Sequence, residues 1–393
     1  MENVLNHKSY KKNFVVVLVI VVTLIVSMIA GGFLIGKYFS NEKNVPVLSK
    51  EQLNENVSED RKNAITSVVS KVSDAIVGIN VEEVREVRNP FYDDPFFRQF
   101  FGDIGPQKQV VRGLGSGFII SPDGYILTND HVAGNATKIS VTLTTGETVQ
   151  AELIGSDQVS DVALLKIDKK NLPYLEFANS DNVLIGEWAI AFGNPFGLFE
   201  INDKPTVTVG VVSATNMSVT AEGRRVYKDM IQTDASINSG NSGGPLVDIE
   251  GKVIGMNTII YTGGSFSSGS IGVGFAISIN RVVNIMNELK AKGSIDRNFN
   301  VGFNIQPVDE RIAQYYELEK AEGVIVTQIL RGGLADRAGL KPEDIIIGVN
   351  GKPVRNQQDL VYVINDSRVG DVLILKILRD GDEREIEMTL EGQ

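Results

Sequence analysis

The chain has 393 residues, with 38 Lys plus Arg against 49 Asp plus Glu, a net charge of −11, two histidines and no cysteine. These counts exclude a disulfide scaffold, a cysteine nucleophile and a cysteine-held metal or iron–sulfur centre. The acidic balance argues against nucleic acid as a partner, because phosphate binding needs a clustered basic surface. At roughly 100–200 residues per domain, the length predicts two or three units.

Residues Phe14 to Gly36 form an uncharged run of 23 in which Thr23 and Ser27 are the only hydroxyls. At about 1.5 Å per residue a helix here is roughly 35 Å long, enough to span a hydrocarbon core of roughly 30 Å. Lys8, Lys11 and Lys12 precede the run and Lys37 follows it. The lysine excess places residues 1–13 in the cytoplasm and the rest on the extracytoplasmic side. A cleavable signal peptide has a shorter apolar region, about 7–15 residues, and a small-residue cleavage site, which Ile35-Gly36-Lys37-Tyr38 does not supply. The expectation is an uncleaved single-pass anchor in the cell membrane over residues 14–36. Gly31 to Lys37 nearly spells a phosphate-binding loop. Tyr38 stands where Ser or Thr would hold magnesium, however, and the glycines lie inside the apolar run. Residues 37–60, polar from Ser40 onward and without an apolar period, read as a flexible linker.

Residues 61–292 read mostly as short strands. Ser116 to Ile120 and Tyr125 to Thr128 flank the turn Ser121-Pro122-Asp123-Gly124, in which Pro fixes φ and Gly accepts a positive one. Lys138 to Leu143 and Thr148 to Ile154 alternate around Thr145-Gly146 as a second hairpin. Val162 to Ile167, Trp188 to Phe192, Thr206 to Ser213, Leu246 to Val247, Val253 to Asn257 and Gly272 to Ile277 supply further strands. Helical periodicity is confined to Asn63–Ile76 and Ile279–Ala291. Many short strands joined by Gly-rich turns predict a sandwich or a pair of barrels. Lys292-Gly293-Ser294 marks a boundary, and residues 300–392 form a separate block. It has strands near Gly323–Ile329, Asp344–Val349 and Val372–Arg379 and a helix near Gln357–Asn365.

The chemistry concentrates in Gly240-Asn241-Ser242-Gly243-Gly244, a G-x-S-x-G nucleophile pattern. The α/β-hydrolase order of Ser, acid, His is excluded, because no histidine follows Ser242 in this sequence. His131 is the one histidine beyond the apolar run, so an activated Ser242 requires it as general base. The acid then falls between the two, as in chymotrypsin-type enzymes. Asp161 opens an apolar strand, where a carboxylate can be held against imidazole. Asp130 ranks lower, since adjacent side chains at a strand end point apart. Gly240 and the Ser242 amide are the expected oxyanion donors, because a tight glycine turn aims successive N–H groups at one spot. Each segment alone is more often a plain turn or cap; their conjunction carries the reading.

Thr128-Asn129-Asp130-His131-Val132, Asp161-Val162-Ala163-Leu164-Leu165-Lys166 and Gly240-Asn241-Ser242-Gly243-Gly244-Pro245 resemble the triad motifs of the HtrA (Deg) family of trypsin-like serine proteases. Gly115-Ser116-Gly117-Phe118, Gly193-Asn194-Pro195-Phe196-Gly197 and Ile231-Gln232-Thr233-Asp234-Ala235 match as well. The resemblance implies an all-β, chymotrypsin-like protease domain (a double six-stranded β-barrel) followed by a small α+β PDZ domain. It also implies a homotrimer or larger cage, and ATP-independent, cofactor-free digestion of misfolded exported proteins under stress. Val301, Gly302 and Phe303 resemble the carboxylate-binding loop of the PDZ domain, where a C-terminal peptide adds a strand, and Leu360 and Ile364 would face its last side chain. Ser236 stands six before Ser242, where trypsin-like enzymes set charge preference. With Ile237 beside it and no carboxylate, the expected cleavage follows small or medium aliphatic residues. Six aromatics between Phe91 and Phe101 suggest a loop that grips a partner subunit or an unfolded client. Asn216-Met217 replaces an arginine that relatives often carry, with Arg224 and Arg225 further along the same loop. Two other functions share these residues: a regulatory protease cutting one membrane substrate, and a non-proteolytic, chaperone-like scaffold.

Overall fold

The computed structural model describes residues 5–39, 62–87, 107–194, 204–219, 224–238, 240–258 and 272–393. The linker at residues 40–60, the aromatic run at 91–101, Pro195 to Gly197 and Ser239 lie outside the described residues. The chain divides into two units, Met1–Asn63 and Ala64–Gln393.

In the first unit, helix α1 covers Leu5–Phe39, and its stretch Val16–Leu34 is long and apolar enough to cross a membrane. Its hydroxyls are satisfied internally. Thr23 Oγ1 donates to the carbonyls of Val19 (2.9 Å) and Ile20 (2.8 Å), and Ser27 Oγ donates to that of Thr23 (2.8 Å). Neither would leave an unpaired polar group in hydrocarbon.

The second unit opens with helix α2, Ala64–Val72, and a single 3-10 turn, Ser73–Ala75. The helix is shorter than the periodicity predicts. Ile76 and Val77 instead begin strand β1, Ile76–Val87, opposite Phe118 and Gly117 of β2, Gln107–Ile119. Strands β3 (Tyr125–Thr128), β4 (Lys138–Leu143), β5 (Thr148–Asp157) and β6 (Val162–Ile167) complete a closed barrel in the order β1-β2-β3-β6-β5-β4. A second closed barrel repeats that order as β7-β8-β9-β12-β11-β10. Its strands are β7 (Trp188–Gly193), β8 (Thr206–Val219), β9 (Tyr227–Thr233), β10 (Pro245–Val247), β11 (Val253–Thr258) and β12 (Gly274–Ser278).

Strand alternation divides the apolar residues between three cores. Ile119, Ile126 and Leu165 fill the first barrel, and Ala191, Ile231 and Leu246 the second. Their neighbours Phe118, Leu127, Leu164, Ile190, Phe192 and Met230 form one cluster shared by both barrels. Both faces of these strands are therefore buried, and this is why Val162–Leu165 reads as an unbroken apolar run. Each of these Leu, Ile, Phe and Met side chains contributes about 1.5–3 kcal/mol by its burial. Helix α3 is the short turn Asp130–Ala133, and α4 spans Ile279–Lys292. Ile279, Val282, Ile285 and Leu289 line one face of α4 and join the shared cluster.

The C-terminal sheet runs β13-β14-β15-β17-β18, with β16 beside β15. The strands are β13 (Phe303–Pro307), β14 (Val324–Ile329), β15 (Ile345–Val349), β16 (Lys352–Pro353), β17 (Val372–Arg379) and β18 (Asp382–Thr389). Helices α5 (Glu310–Tyr315), α6 (Leu334–Ala338) and α7 (Gln357–Asp366) cover it, α7 closed by an Asn356–Asp359 capping box.

Candidate active site

His131 and Asp161 are brought together by two chain reversals at the mouth of the first barrel. Asn129 precedes α3 and donates its Nδ2–H to the Asp161 carbonyl (2.9 Å). Asp161 takes a left-handed φ of 59° just before β6, a conformation Asp and Asn accept more readily than most residues. Its carboxylate accepts from the His131 amide (3.0 Å, Oδ1) and lies 2.9 Å (Oδ2) and 3.0 Å (Oδ1) from His131 Nδ1. An ionised carboxylate only accepts, so Nδ1 carries the proton and Nε2 is left as the basic nitrogen.

The second barrel completes the carboxylate's shell. Tyr227 OH and Thr258 Oγ1 each donate to Oδ2 at 3.0 Å. Arg225 Nε stands 3.7 Å from Oδ1, while an NH2 of the same guanidinium is 3.7 Å from Asp130 Oδ2. Asp161 is fully buried. Burial alone would raise its pKa; the His131 charge and hydrogen bonds, with Arg225 behind them, outweigh it and hold the carboxyl below its ordinary value. Asp130 moves the other way, raised by burial and by the Asp161 charge. The Tyr227 hydroxyl is also pushed up, by burial and then by Asp161, so it stays a donor.

Ser242 is 3% exposed, and its Oγ has no hydrogen-bond partner among the described residues. The His131–Asp161 bond is thus formed and the Ser242–His131 bond is not; such bonds often tighten only when substrate arrives. The segment around the serine is held through its backbone. Gly240 and Gly243 adopt φ of 98° and 83°. A side chain at Gly243 would put Cβ 2.2 Å from the Ser116 carbonyl and 2.4 Å from Thr128 Oγ1, so only glycine lets the loop lie this close to β2. Asn241 N donates to the Asn238 carbonyl (3.0 Å), Gly244 N to that of Asn241 (3.0 Å) and Gly243 N to that of Asn257 (2.9 Å). Ser116 N donates to the Ser242 carbonyl (3.0 Å), and Ser116 Oγ donates to that of Gly240.

Ser236 is half-buried, and its carbonyl accepts from Thr208 Oγ1 (2.8 Å) and Asn241 Nδ2 (3.4 Å). Ile237 is buried, and a Cβ at Gly274 would lie 2.6 Å from its Cγ1. In the C-terminal sheet domain, Val301 and Phe303 are half-buried against the core, and the carbonyls of Val301 and Gly302 accept from Ala335 N (3.1 Å) and Leu330 N (2.8 Å). Gly302 N donates to Asn300 Oδ1 (2.9 Å). Ile364 is half-buried, whereas Leu360 has no exposed surface and sits within the core.

A buried ion pair links the two domains close to Asp161. Arg297 Nε and an NH2 each lie 3.0 Å from Asp157, whose Oδ2 accepts from Ser160 N (3.0 Å) and Ser160 Oγ (2.6 Å). Arg297 also donates to the carbonyls of Asn365, Asp366 and Ser367 at the end of α7. Arg281 grips the Asp366 carboxylate with two bonds, and Lys228 stands 3.4 Å from it. Tyr227, Thr258 and Arg297 carry no motif role in the sequence reading, and Ser116 enters it only inside the Gly115–Phe118 motif, without a role of its own. What they share is a chain separation from their partners too long for any local pattern to reveal.

Residues 115–256 match the trypsin-like peptidase domain family and residues 269–390 the PDZ domain family. The DegP-like periplasmic serine endoprotease of Chlamydia pneumoniae is 45% identical over 311 residues, which is 77% of this chain and 61% of that protein. The DegP-like protein of Hahella chejuensis is 40% identical over 340 residues, 83% of this chain and 69% of that one. A solved variant of the HtrA-type protease AlgW with a decapeptide superposes with a TM-score of 0.69 at 34% identity, covering 84% of this chain and 98% of that one. This chain spans only about three fifths of the length of the Chlamydia relatives.

Proposed function

Because this chain belongs to the HtrA family of DegP-like, trypsin-like serine endoproteases with a PDZ domain, we propose that it is a membrane-anchored serine endopeptidase. It degrades misfolded or damaged exported proteins without ATP. The observation that carries this reading is the buried Asp161 carboxylate bonded to His131 Nδ1, which leaves Nε2 as the basic nitrogen. In the reaction, Ser242 Oγ attacks the scissile carbonyl as its proton passes to His131 Nε2. Asp161 holds the resulting imidazolium in place. The Gly240 and Ser242 N–H groups receive the oxyanion, and His131 then returns the proton to the leaving amine. Ser236 and Ile237 line a pocket without charge and take a small or medium aliphatic side chain.

Residues 14–36 anchor the protein, with residues 1–13 cytoplasmic and the domains at 61–292 and 300–392 outside. The PDZ domain binds C-terminal peptides beside Val301, Gly302 and Phe303, next to Ile364 and with Leu360 beneath, and the working particle is a trimer or a larger homo-oligomer. The test is casein digestion by the purified exported part beside Ser242→Ala. Digestion by the first alone supports the reading, and equal, absent digestion by both supports a scaffold instead. A second reading, a protease that acts on one membrane substrate, is favoured by the Arg297 link between α7 and the Asp157 turn. Activity that appears only when a C-terminal peptide is added would distinguish it.

A further inference from the structure

We propose that Ser116 is a positioning residue for the oxyanion site, fixing the direction of the Ser242 amide by holding the carbonyls on both sides of it. The inference rests on the serine-protease reading above.

Three consecutive peptide planes surround the nucleophile, and hydrogen bonds orient each. In the plane joining Gly240 to Asn241, the carbonyl accepts from Ser116 Oγ and the N–H donates to the Asn238 carbonyl. In the plane joining Ser242 to Gly243, the carbonyl accepts from Ser116 N and the N–H donates to the Asn257 carbonyl. The plane between them has its carbonyl engaged by Gly244 N. Its N–H belongs to Ser242 and donates to no acceptor among the described residues. One residue, Ser116, therefore pins both flanking planes, once through its backbone and once through its hydroxyl. The middle plane has little freedom left, and its one uncommitted donor is the group that must meet developing negative charge.

The hydroxyl itself is fully used. Ser116 has no exposed surface, its Oγ accepts from Asn194 N (2.7 Å) while donating to Gly240, and its own carbonyl accepts from Thr128 Oγ1 (2.7 Å). Accepting from one backbone amide restricts the donated proton, and Oγ cannot turn away from Gly240 about χ1 without leaving Asn194 N unpaired. A preorganised donor stabilises charge without reorganising at the moment of reaction, and loss of one such donor costs on the order of 10²–10³ in kcat in related sites. Removing Ser116 Oγ loosens a donor without deleting it, so a smaller loss is expected.

The experiment compares full-length protein with Ser116→Ala and Ser116→Thr, using three readouts: peptide hydrolysis, covalent labelling of Ser242 by a fluorophosphonate, and binding of a peptide boronate that mimics the tetrahedral intermediate. Ser116→Ala is expected to lower kcat about tenfold or more and boronate affinity by a similar factor, with KM nearly unchanged, because the bond matters only once charge develops. Ser116→Thr keeps the hydroxyl and should recover most of both. Normal kcat and boronate binding in Ser116→Ala would overturn the inference, as would equal losses in a folded Ser116→Thr. Should Ser116→Ala fail to fold, Ser116→Thr alone decides: folded and active with normal boronate binding supports the role of the hydroxyl, and folded but inactive overturns it. Absence of Ser242 labelling in the unaltered protein would instead sink the serine-protease reading itself.

Discussion

Tyr227, at the start of β9 in the second barrel, donates its hydroxyl proton across 3.0 Å to Oδ2 of Asp161, which precedes β6 in the first. The two residues are 66 positions apart in the chain. The bond crosses the barrel junction and ends on the carboxylate that orients His131, so barrel packing and imidazole geometry are set by the same contact.

Tyr227→Phe keeps the ring in its buried place and removes only the donor. A buried acceptor that loses one partner costs about 1–3 kcal/mol. Thr258 Oγ1 still holds Oδ2, so the lower part of that range applies and kcat is expected to fall about tenfold with KM unchanged. Steady-state hydrolysis of a peptide substrate checks it. A kcat within twofold of the unaltered protein would mean that Thr258 and the His131 amide suffice. Tyr227→Phe combined with Thr258→Val should lose more than the product of the two single effects, because both donors serve one oxygen.

Asp161→Asn tests which carboxylate serves His131. The amide can present N–H toward Nδ1, which favours the tautomer with the proton on Nε2, where it cannot act as base. A loss on the order of 10⁴ in kcat follows from that exchange. Asp130→Asn, in which the altered group makes no hydrogen bond to the imidazole among the described residues, should lose far less. If the two variants ranked the other way, the acid would have to be reassigned to Asp130.

The parts of this site that lie within one short segment were legible. G-x-S-x-G, His131 in its Asn-Asp-His run, and Asp161 opening an apolar strand each have local grounds, and the absence of a later histidine set their order. Short strands and glycine turns pointed to a sandwich or a pair of barrels, and only the family resemblance chose the barrels. The sequence extends helix α2 too far because Ile76 continues its apolar period, while the pairing of Ile76 with Phe118, and of Val77 with Gly117 and Leu143, is fixed only by the tertiary fold. Strand β18, Asp382–Thr389, went unread because only Ile386 and Met388 of its residues are buried. Tyr227 and Thr258 offered no signal, since a Tyr or Thr in a strand is ordinary and their common target is distant in the chain.

Arg297 and Asp157 are both nearly inaccessible, with side-chain exposures of 7% and 5%. Arg297→Ala leaves a carboxylate buried without its cation, and breaking such a pair from one side costs about 3–5 kcal/mol. The urea midpoint should fall accordingly. Replacing both partners by apolar residues of similar size, Arg297→Met with Asp157→Leu, should recover part of the loss: no charge is then stranded, but Ser160 N and the carbonyls at the end of α7 still lose a partner. A single variant as stable as the double would show that water reaches Asp157.

Asp366 supplies a pH dependence whose sign is fixed by its surroundings. Burial works to raise its pKa, but the hydrogen bonds and charge of Arg281, with Lys228 and Arg297 adding to them, lower it from 3.8 to about 2. A depressed carboxyl contributes stability that is complete above its unfolded value and lost as pH falls toward the folded one. The contribution is therefore present at pH 5 and above, and it disappears between about pH 4 and 2, amounting to about 2 kcal/mol. Asp366 is 18% exposed in its side chain, so solvent screening removes little of this. Asp366→Asn should match the unaltered protein at pH 2 and be less stable by about that amount at pH 6. Urea unfolding followed by circular dichroism across this range measures the difference. A gap between the two proteins that stayed constant with pH would mean that Asp366 acts through shape and not through its charge.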